Sequence, residues 1–240
     1  MKKYKHLHLV VILLASCASS PVQQGENLIA VNKIINTSHI KKPIRRNTAD
    51  SQDLITKIEK RMQPSLDDLC IEYNIDCNWE ISQEINMTFN AYATIKDGKK
   101  KIVLFTGLVS GVHYEEELAF VLAHEIAHHV SNHINESKLR GYAGMALGGV
   151  VGASVGDPIS GALYGAAVAR NSFSVSQEIE ADLIASKILT NAEYDLNKAK
   201  MVLLRMNRMG SSFYTEWLAS HPSGPDRILK FEEHANEINY

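Results

Sequence analysis

The chain has 240 residues, is 45% hydrophobic and 22% charged, and carries a formal net charge of −2. This is ordinary globular usage, long enough for one sizeable core or two small ones, and it excludes a disordered or collagen-like protein. With 25 basic against 27 acidic residues and no Lys/Arg stripe interleaved with aromatics, there is no basic field to hold a phosphate backbone, and nucleic acid is not an expected partner.

Met1-Lys2-Lys3-Tyr4-Lys5 is a basic start, and Leu7 to Ala15 is an apolar run too short to cross a hydrocarbon core of about 30 Å as a helix. The pattern reads as a secretory signal. It closes on Leu14-Ala15-Ser16-Cys17, which resembles the bacterial lipobox, so residues 1–16 are expected to be removed and Cys17 to become the lipidated first residue. Acyl chains contribute about 0.8 kcal/mol per buried methylene, enough for two or three of them to keep the chain on a membrane. Ala18 carries no acidic retention signal, so the expected address is the periplasmic face of the outer membrane. With Cys17 consumed, Cys70 and Cys77 remain as an even pair in an oxidising compartment, which favours a disulfide across a short loop.

From Cys17 to about residue 50 the sequence is polar and without sustained periodicity, as a flexible tether would be. Residues 51–240 then form the expected domain. Leu54, Ile55, Ile58, Met62, Leu66 and Leu69 recur near helical spacing with Pro64 interrupting, so one kinked helix or two short ones are predicted. A loosely alternating stretch from Trp79 to Ile95 and the run Ile102-Val103-Leu104-Phe105 flank Asp97-Gly98, a hairpin signal. Glu115-Glu116-Glu117 opens a long apolar-periodic stretch read as one helix to about Leu139. Between Gly141 and Arg170 lie 8 of the chain's 14 glycines. Asp157-Pro158 splits that segment into halves too short to span a bilayer, so close backbone packing is expected there instead, with a lid over a cleft as one use. Further helices are predicted over 176–190, 196–209 and 226–238.

The predicted helix through LAFVLAHEIAHHV carries His124-Glu125-Ile126-Ala127-His128. At about 100° per residue the two histidines stand roughly 40° apart and one turn up, so both imidazoles can address one metal ion while Glu125 reaches a water beside it. A catalytic zinc site needs three protein ligands and an open position. His129 lies about 100° and His133 about 140° round the helix from His128, and they read as solvated histidines or as ones behind the ligands. In Glu178-Ile179-Glu180-Ala181-Asp182, Glu178 and Asp182 share a face at i and i+4. Glu178 is the expected third ligand and Asp182 the acceptor that fixes a histidine tautomer. Glu180 reads as outward-facing, with a swap of roles between the two glutamates left open.

Taken together, these residues resemble the zinc metallopeptidases grouped with the heat-shock protease HtpX, the CAAX prenyl endopeptidase and the soluble periplasmic BepA-like proteases. The resemblance runs over about residues 85–232: Asn90-Ala91-Tyr92-Ala93 before the hairpin, Phe105-Thr106-Gly107-Leu108 after it, Glu117-Leu118-Ala119 leading into the histidine motif, the 178–182 segment, and His221-Pro222 followed by Arg227-Ile228. It implies an α+β, mainly helical, zincin-like domain with a small β-hairpin or sheet beside the active-site helix. It also implies one Zn²⁺ on His124, His128 and Glu178, with Asp182 behind them and Glu125 as the base. By the same resemblance His221 stands near the metal, where it plugs an idle site or helps to hold substrate, and Arg227 faces the developing oxyanion. Plainer readings have His221 capping a turn and Arg227 pairing with a surface acid. The strand at Asn90, Ala91 and Tyr92 would hold an extended peptide at a free edge. Asn132 departs from the arginine common before His133 in relatives.

The expected function is thus a membrane-anchored zinc endopeptidase acting on unfolded or misassembled cell-envelope proteins. The alternative is a latent peptidase-fold lipoprotein serving mainly as a chaperone or scaffold.

Overall fold

The computed structural model describes residues 21–170, 173–208, 220–222 and 224–238. Cys17 and the signal-like segment lie outside them. The order of elements is α1 (Pro21–Thr37), α2 (Thr48–Tyr73), β1 (Trp79–Glu84), β2 (Ala91–Lys96), β3 (Lys99–Phe105), α3 (Thr106–Val109), α4 (Glu115–Val130), α5 (His133–Ser154), α6 (Pro158–Arg170), α7 (Val175–Asn191), α8 (Leu196–Ala199), α9 (Met201–Arg208) and α10 (Pro225–Ile238). This is a mainly helical α+β fold with one small sheet among the described residues.

Helix α4 is the axis of the molecule: from Glu117 to Val130 every residue is buried. A helix covered on all sides must meet apolar neighbours all round, and α4 is packed by α7, α2, α8, α9 and the sheet. Its first turn is held by a buried acid rather than by an ordinary surface cap. Glu117 Oε1 accepts the main-chain N–H groups of His113 and Tyr114 at 2.9 and 3.0 Å. The same carboxylate accepts Arg205 Nε and Nη2 at 2.9 and 3.0 Å.

In the sheet the strand order is β1-β3-β2. β1 runs parallel to β3, and β2 pairs antiparallel with it from Ala91↔Leu104 to Lys96↔Lys99. The turn between β2 and β3 is the Asp97-Gly98 pair read from the sequence, both at positive φ (52° and 74°), which matches the twist of the flanking strands. Among the described residues β2 is therefore a free edge, and it is the edge strand packed on α4.

Several sequence readings are corrected here. The segment expected to be a flexible tether folds: α1 lies on α10, with Val31 buried and Ile34 and Ile35 packed on the core. Asn27 Nδ2 donates to Asp226 Oδ1 at 2.6 Å, and beyond α1 Arg46 Nη1 donates to the Val109 carbonyl at 2.7 Å. The apolar stripe is three residues at i, i+3 and i+4, too short to stand out from its polar surroundings until α10 supplies a partner. Of the two readings left open at Pro64, the single helix is the one found: α2 runs through it as one 26-residue element. Pro64 and Lys60, whose carbonyl loses its donor, are both exposed, so water can take that place. The helix expected from 115 to about 139 ends instead at Val130. Asn132 adopts the left-handed region (φ 59°) and α5 starts afresh at His133.

Cys70, on the last turn of α2, and Cys77, before β1, are joined by a disulfide with Cα atoms 5.9 Å apart. The glycine-rich segment is an antiparallel hairpin of α5 and α6. A Cβ on Gly148 would stand 2.1 Å from the Gly161 carbonyl oxygen, and one on Gly165 2.1 Å from that of Gly144. Only glycine permits that approach.

Candidate metal centre

Successive turns of α4 bring His124 and His128 to one point, 3.1 Å apart between their Nε2 atoms. α7 delivers Glu178 opposite them, with Oε2 3.4 Å from His124 Nε2 and Oε1 3.4 Å from His128 Nε2. A fourth donor arrives before α10: His221 Nδ1 lies 3.3 Å from His124 Nε2 and 3.2 Å from Glu178 Oε1. All four side chains are buried, and their ligand atoms lie within 4.8 Å of one another. A tetrahedral zinc ion with bonds of about 2.0–2.1 Å sets its donors about 3.3 Å apart. The spacings here match that value, and two imidazoles, a third imidazole and a carboxylate are the donor types zinc takes.

The electrostatics also fit a cation. Four potential ligands in a buried pocket must share their protons when no cation is present. Burial opposes the charged form of His124, but Asp182 and Glu178 outweigh it and push its pKa up to about 9. His128, with the same burial and less carboxylate help, is driven well below its ordinary value. Burial works against the Glu178 carboxylate too, yet His221 and Arg227 hold it far below the usual range. Glu125 is fully buried beside this cluster, with Oε1 3.5 Å from His221 Nε2. Burial raises its pKa, and His221 and His124, followed by the Ala93 main-chain N–H on β2, oppose that rise.

Asp182 stands behind His124 as the i+4 spacing predicts, with Oδ1 2.9 Å from His124 Nδ1. Arg227 is placed differently from both sequence readings. It is buried, and its Nε and Nη2 donate to the two Asp182 oxygens, each at 2.7 Å. Nη1 lies 2.6 Å from Glu178 Oε2 and 3.3 Å from the Pro222 carbonyl. With its donors on Glu178 and on the acid behind His124, Arg227 ties the two together. His221 is one of the cluster's donors rather than a turn cap.

His129 points away from the cluster, donating through Nε2 to the Lys101 carbonyl at 3.2 Å, and burial lowers its pKa to about 4. Glu180 is not merely outward-facing: it accepts from Ser131 Oγ at 2.9 Å and lies 3.3 Å from His133 Nε2. On the expected substrate strand, Asn90 gives its carbonyl to Phe105 N at 3.0 Å, Ala91 is buried, and Tyr92 meets Phe105 edge-on. The residue of that strand next to Glu125 is Ala93.

Phe173 is a site residue that sequence reasoning missed. Its ring stacks on His128 at 3.8 Å between centroids and 16° between planes, and its N–H donates to the Ser220 carbonyl at 3.2 Å. No spacing rule links Phe173 to the histidine helix. The one local signal is the capping box begun at Ser174, which fixes where α7 starts and so where the preceding residue must lie.

Comparison with known proteins agrees with this arrangement. Residues 58–235 match the family described as Peptidase family M48. Over 150 residues the chain is 31% identical to the "Mitochondrial metalloendopeptidase OMA1" of Arabidopsis thaliana, a match covering 62% of this chain. The chain spans about a third of that relative, 30% of its length.

Proposed function

Because this chain belongs to peptidase family M48, we propose that it is a zinc-dependent endopeptidase that cleaves unfolded or misassembled proteins of the cell envelope. Within the family the BepA-like lipoprotein branch fits best, with Cys17 as the lipid anchor and the outer membrane as the site of action. The disulfide between Cys70 and Cys77 supports an oxidising compartment of this kind. The observation that carries the enzymatic reading is the set of four buried donors within 4.8 Å of one another with the buried Glu125 carboxylate beside it.

His124, His128 and Glu178 would hold the zinc, which when bound polarises a carbonyl and acidifies water toward a pKa of about 7. Glu125 takes the proton of the attacking water, a task suited to a carboxylate whose pKa burial has raised. It then passes that proton to the leaving amine. Asp182, clamped by Arg227, keeps His124 in the tautomer whose Nε2 faces the site. The free edge of β2 offers main-chain groups to an extended peptide, which favours unfolded segments. Beside it is a cavity of about 120 Å³ lined by Ala93, Thr94, Ile134, Ser137, Lys138 and Phe173, suited to one substrate side chain.

One observation favours a resting state that is latent. His221 occupies a fourth donor position, where a catalytic site keeps a place open, and Phe173 covers His128. Hydrolysis then requires His221 to leave the cluster, after which its imidazole is the group left to donate to the oxyanion. A chaperone or scaffold role is the corresponding second reading.

Casein cleavage by the full chain and by Glu125→Gln, with zinc measured in both, tests the proposal. Cutting by the wild type alone, with zinc in both, is the expected result. Zinc in both with cutting by neither would favour the scaffold, and equal cutting by both would refute Glu125 as the base.

A further inference from the structure

We propose that His133 is a positioning residue for His128, and that Glu180 sets the His133 tautomer that makes this possible. The inference rests on the reading of His128 as a metal ligand. His128 can offer Nε2 to a cation only if its ring proton sits on Nδ1, and that proton needs an acceptor. His124 has a carboxylate for this purpose. Among the described residues His128 has none: its Nδ1 lies 3.0 Å from His133 Nδ1, with both rings buried.

Two nitrogens at that distance cannot both carry a proton, so His133 must accept through Nδ1 and hold its own proton on Nε2. The group facing Nε2 is Glu180, with Oε2 at 3.3 Å. Glu180 is steadied in turn by Ser131 Oγ, which donates to its other oxygen at 2.9 Å. The relay depends on the break after α4. Asn132, in the left-handed region, turns the chain so that His133, the first residue of α5, folds back onto His128 five residues earlier. A continuous helix would carry His133 about 140° away from it. The two ligand histidines are thus oriented by different means, one by a buried acid clamped by an arginine, the other through a second imidazole to an acid 55% exposed.

The test compares zinc dissociation constants, by chelator competition on the full chain, for wild type, His133→Leu and His133→Asn, with the proton position on the His133 ring read from ¹⁵N shifts of the zinc-loaded wild type. Asparagine places an amide oxygen close to where Nδ1 stood, so it keeps the acceptor that leucine removes. We expect zinc binding roughly 10- to 100-fold weaker in His133→Leu, within a few-fold of wild type in His133→Asn, and a proton on His133 Nε2. Unchanged affinity in His133→Leu, or an asparagine variant as weak as the leucine one, would overturn the proposal. A proton on His133 Nδ1 would do so even if the leucine variant failed to fold. Absence of zinc binding in the wild type would instead remove the metal site on which the proposal rests.

Discussion

Glu117→Gln is the substitution that most directly probes how the histidine helix is held. The wild-type carboxylate accepts four hydrogen bonds, from His113 N, Tyr114 N and two nitrogens of Arg205, all between 2.9 and 3.0 Å. Glutamine keeps one acceptor oxygen and turns a donating amide toward a guanidinium that can only donate. The variant therefore loses at least one charge-assisted bond and leaves the Arg205 charge, 2% exposed, without a countercharge. Charge-assisted bonds contribute about 1.5–3 kcal/mol each, and breaking a buried pair costs about 3–5 kcal/mol. We expect a loss of about 4 kcal/mol, which for a domain of this size is a fall of roughly 8–16 °C in Tm. Denaturant titration and thermal melts of the zinc-loaded protein would measure it. The double variant Glu117→Leu with Arg205→Met, which removes both charges together, should be more stable than either of its single substitutions. A Glu117→Gln cost below about 1 kcal/mol, or a double variant no better than its singles, would refute the view that this pair anchors α4.

Other expectations follow from the same geometry. Arg227→Met removes the buried guanidinium that Asp182 and Glu178 share and leaves them His124 alone as a common cation, so the metal-free protein should lose about 3–5 kcal/mol; zinc should restore part of this, which calorimetry with and without the ion would show. Gly161→Val drives side-chain atoms into the Gly148 carbonyl, 2.4 Å from the glycine's Cβ position, and should cost about 1–3 kcal/mol, with faster hydrogen exchange in α5 and α6 than in α4. His129, held neutral by burial with a pKa of about 4 against 6.5, contributes stability that is complete above pH 6.5 and lost as the unfolded chain takes up a proton below it. By about pH 5 the loss should reach about 2 kcal/mol, and His129→Gln, which can still donate to the Lys101 carbonyl, should lack this share of the acid sensitivity in denaturant titrations.

What was legible in the sequence was whatever repeats at a fixed helical step. His124 and His128 at i and i+4, Glu178 and Asp182 at i and i+4, and the Asp97-Gly98 turn each depend on a few consecutive φ and ψ values, and the structure places them as that local geometry requires. Arg227 was misplaced because its partners are 45 and 49 positions away, and no periodicity states which of a buried arginine's possible partners packing will choose. The break at Asn132 was hidden because the apolar pattern continues across it into Ile134. A left-handed asparagine there is a consequence of α5 leaving to form its hairpin with α6. The tether was misread for the opposite reason: Val31, Ile34 and Ile35 form a stripe too brief to register until α10 covers it. Phe173 and the His133–Glu180 contact are tertiary, joining segments whose nearness only the packed α4 and α7 create.

The proposed activity depends on one bound ion, and anomalous scattering from crystals of the full chain at the zinc absorption edge tests for it most directly. A single peak about 2.0–2.2 Å from His124 Nε2, His128 Nε2 and a Glu178 oxygen, with His221 Nδ1 either coordinated or swung aside, is the predicted result. A zinc-supplemented crystal with no peak among these residues, or a peak elsewhere and none here, would contradict it.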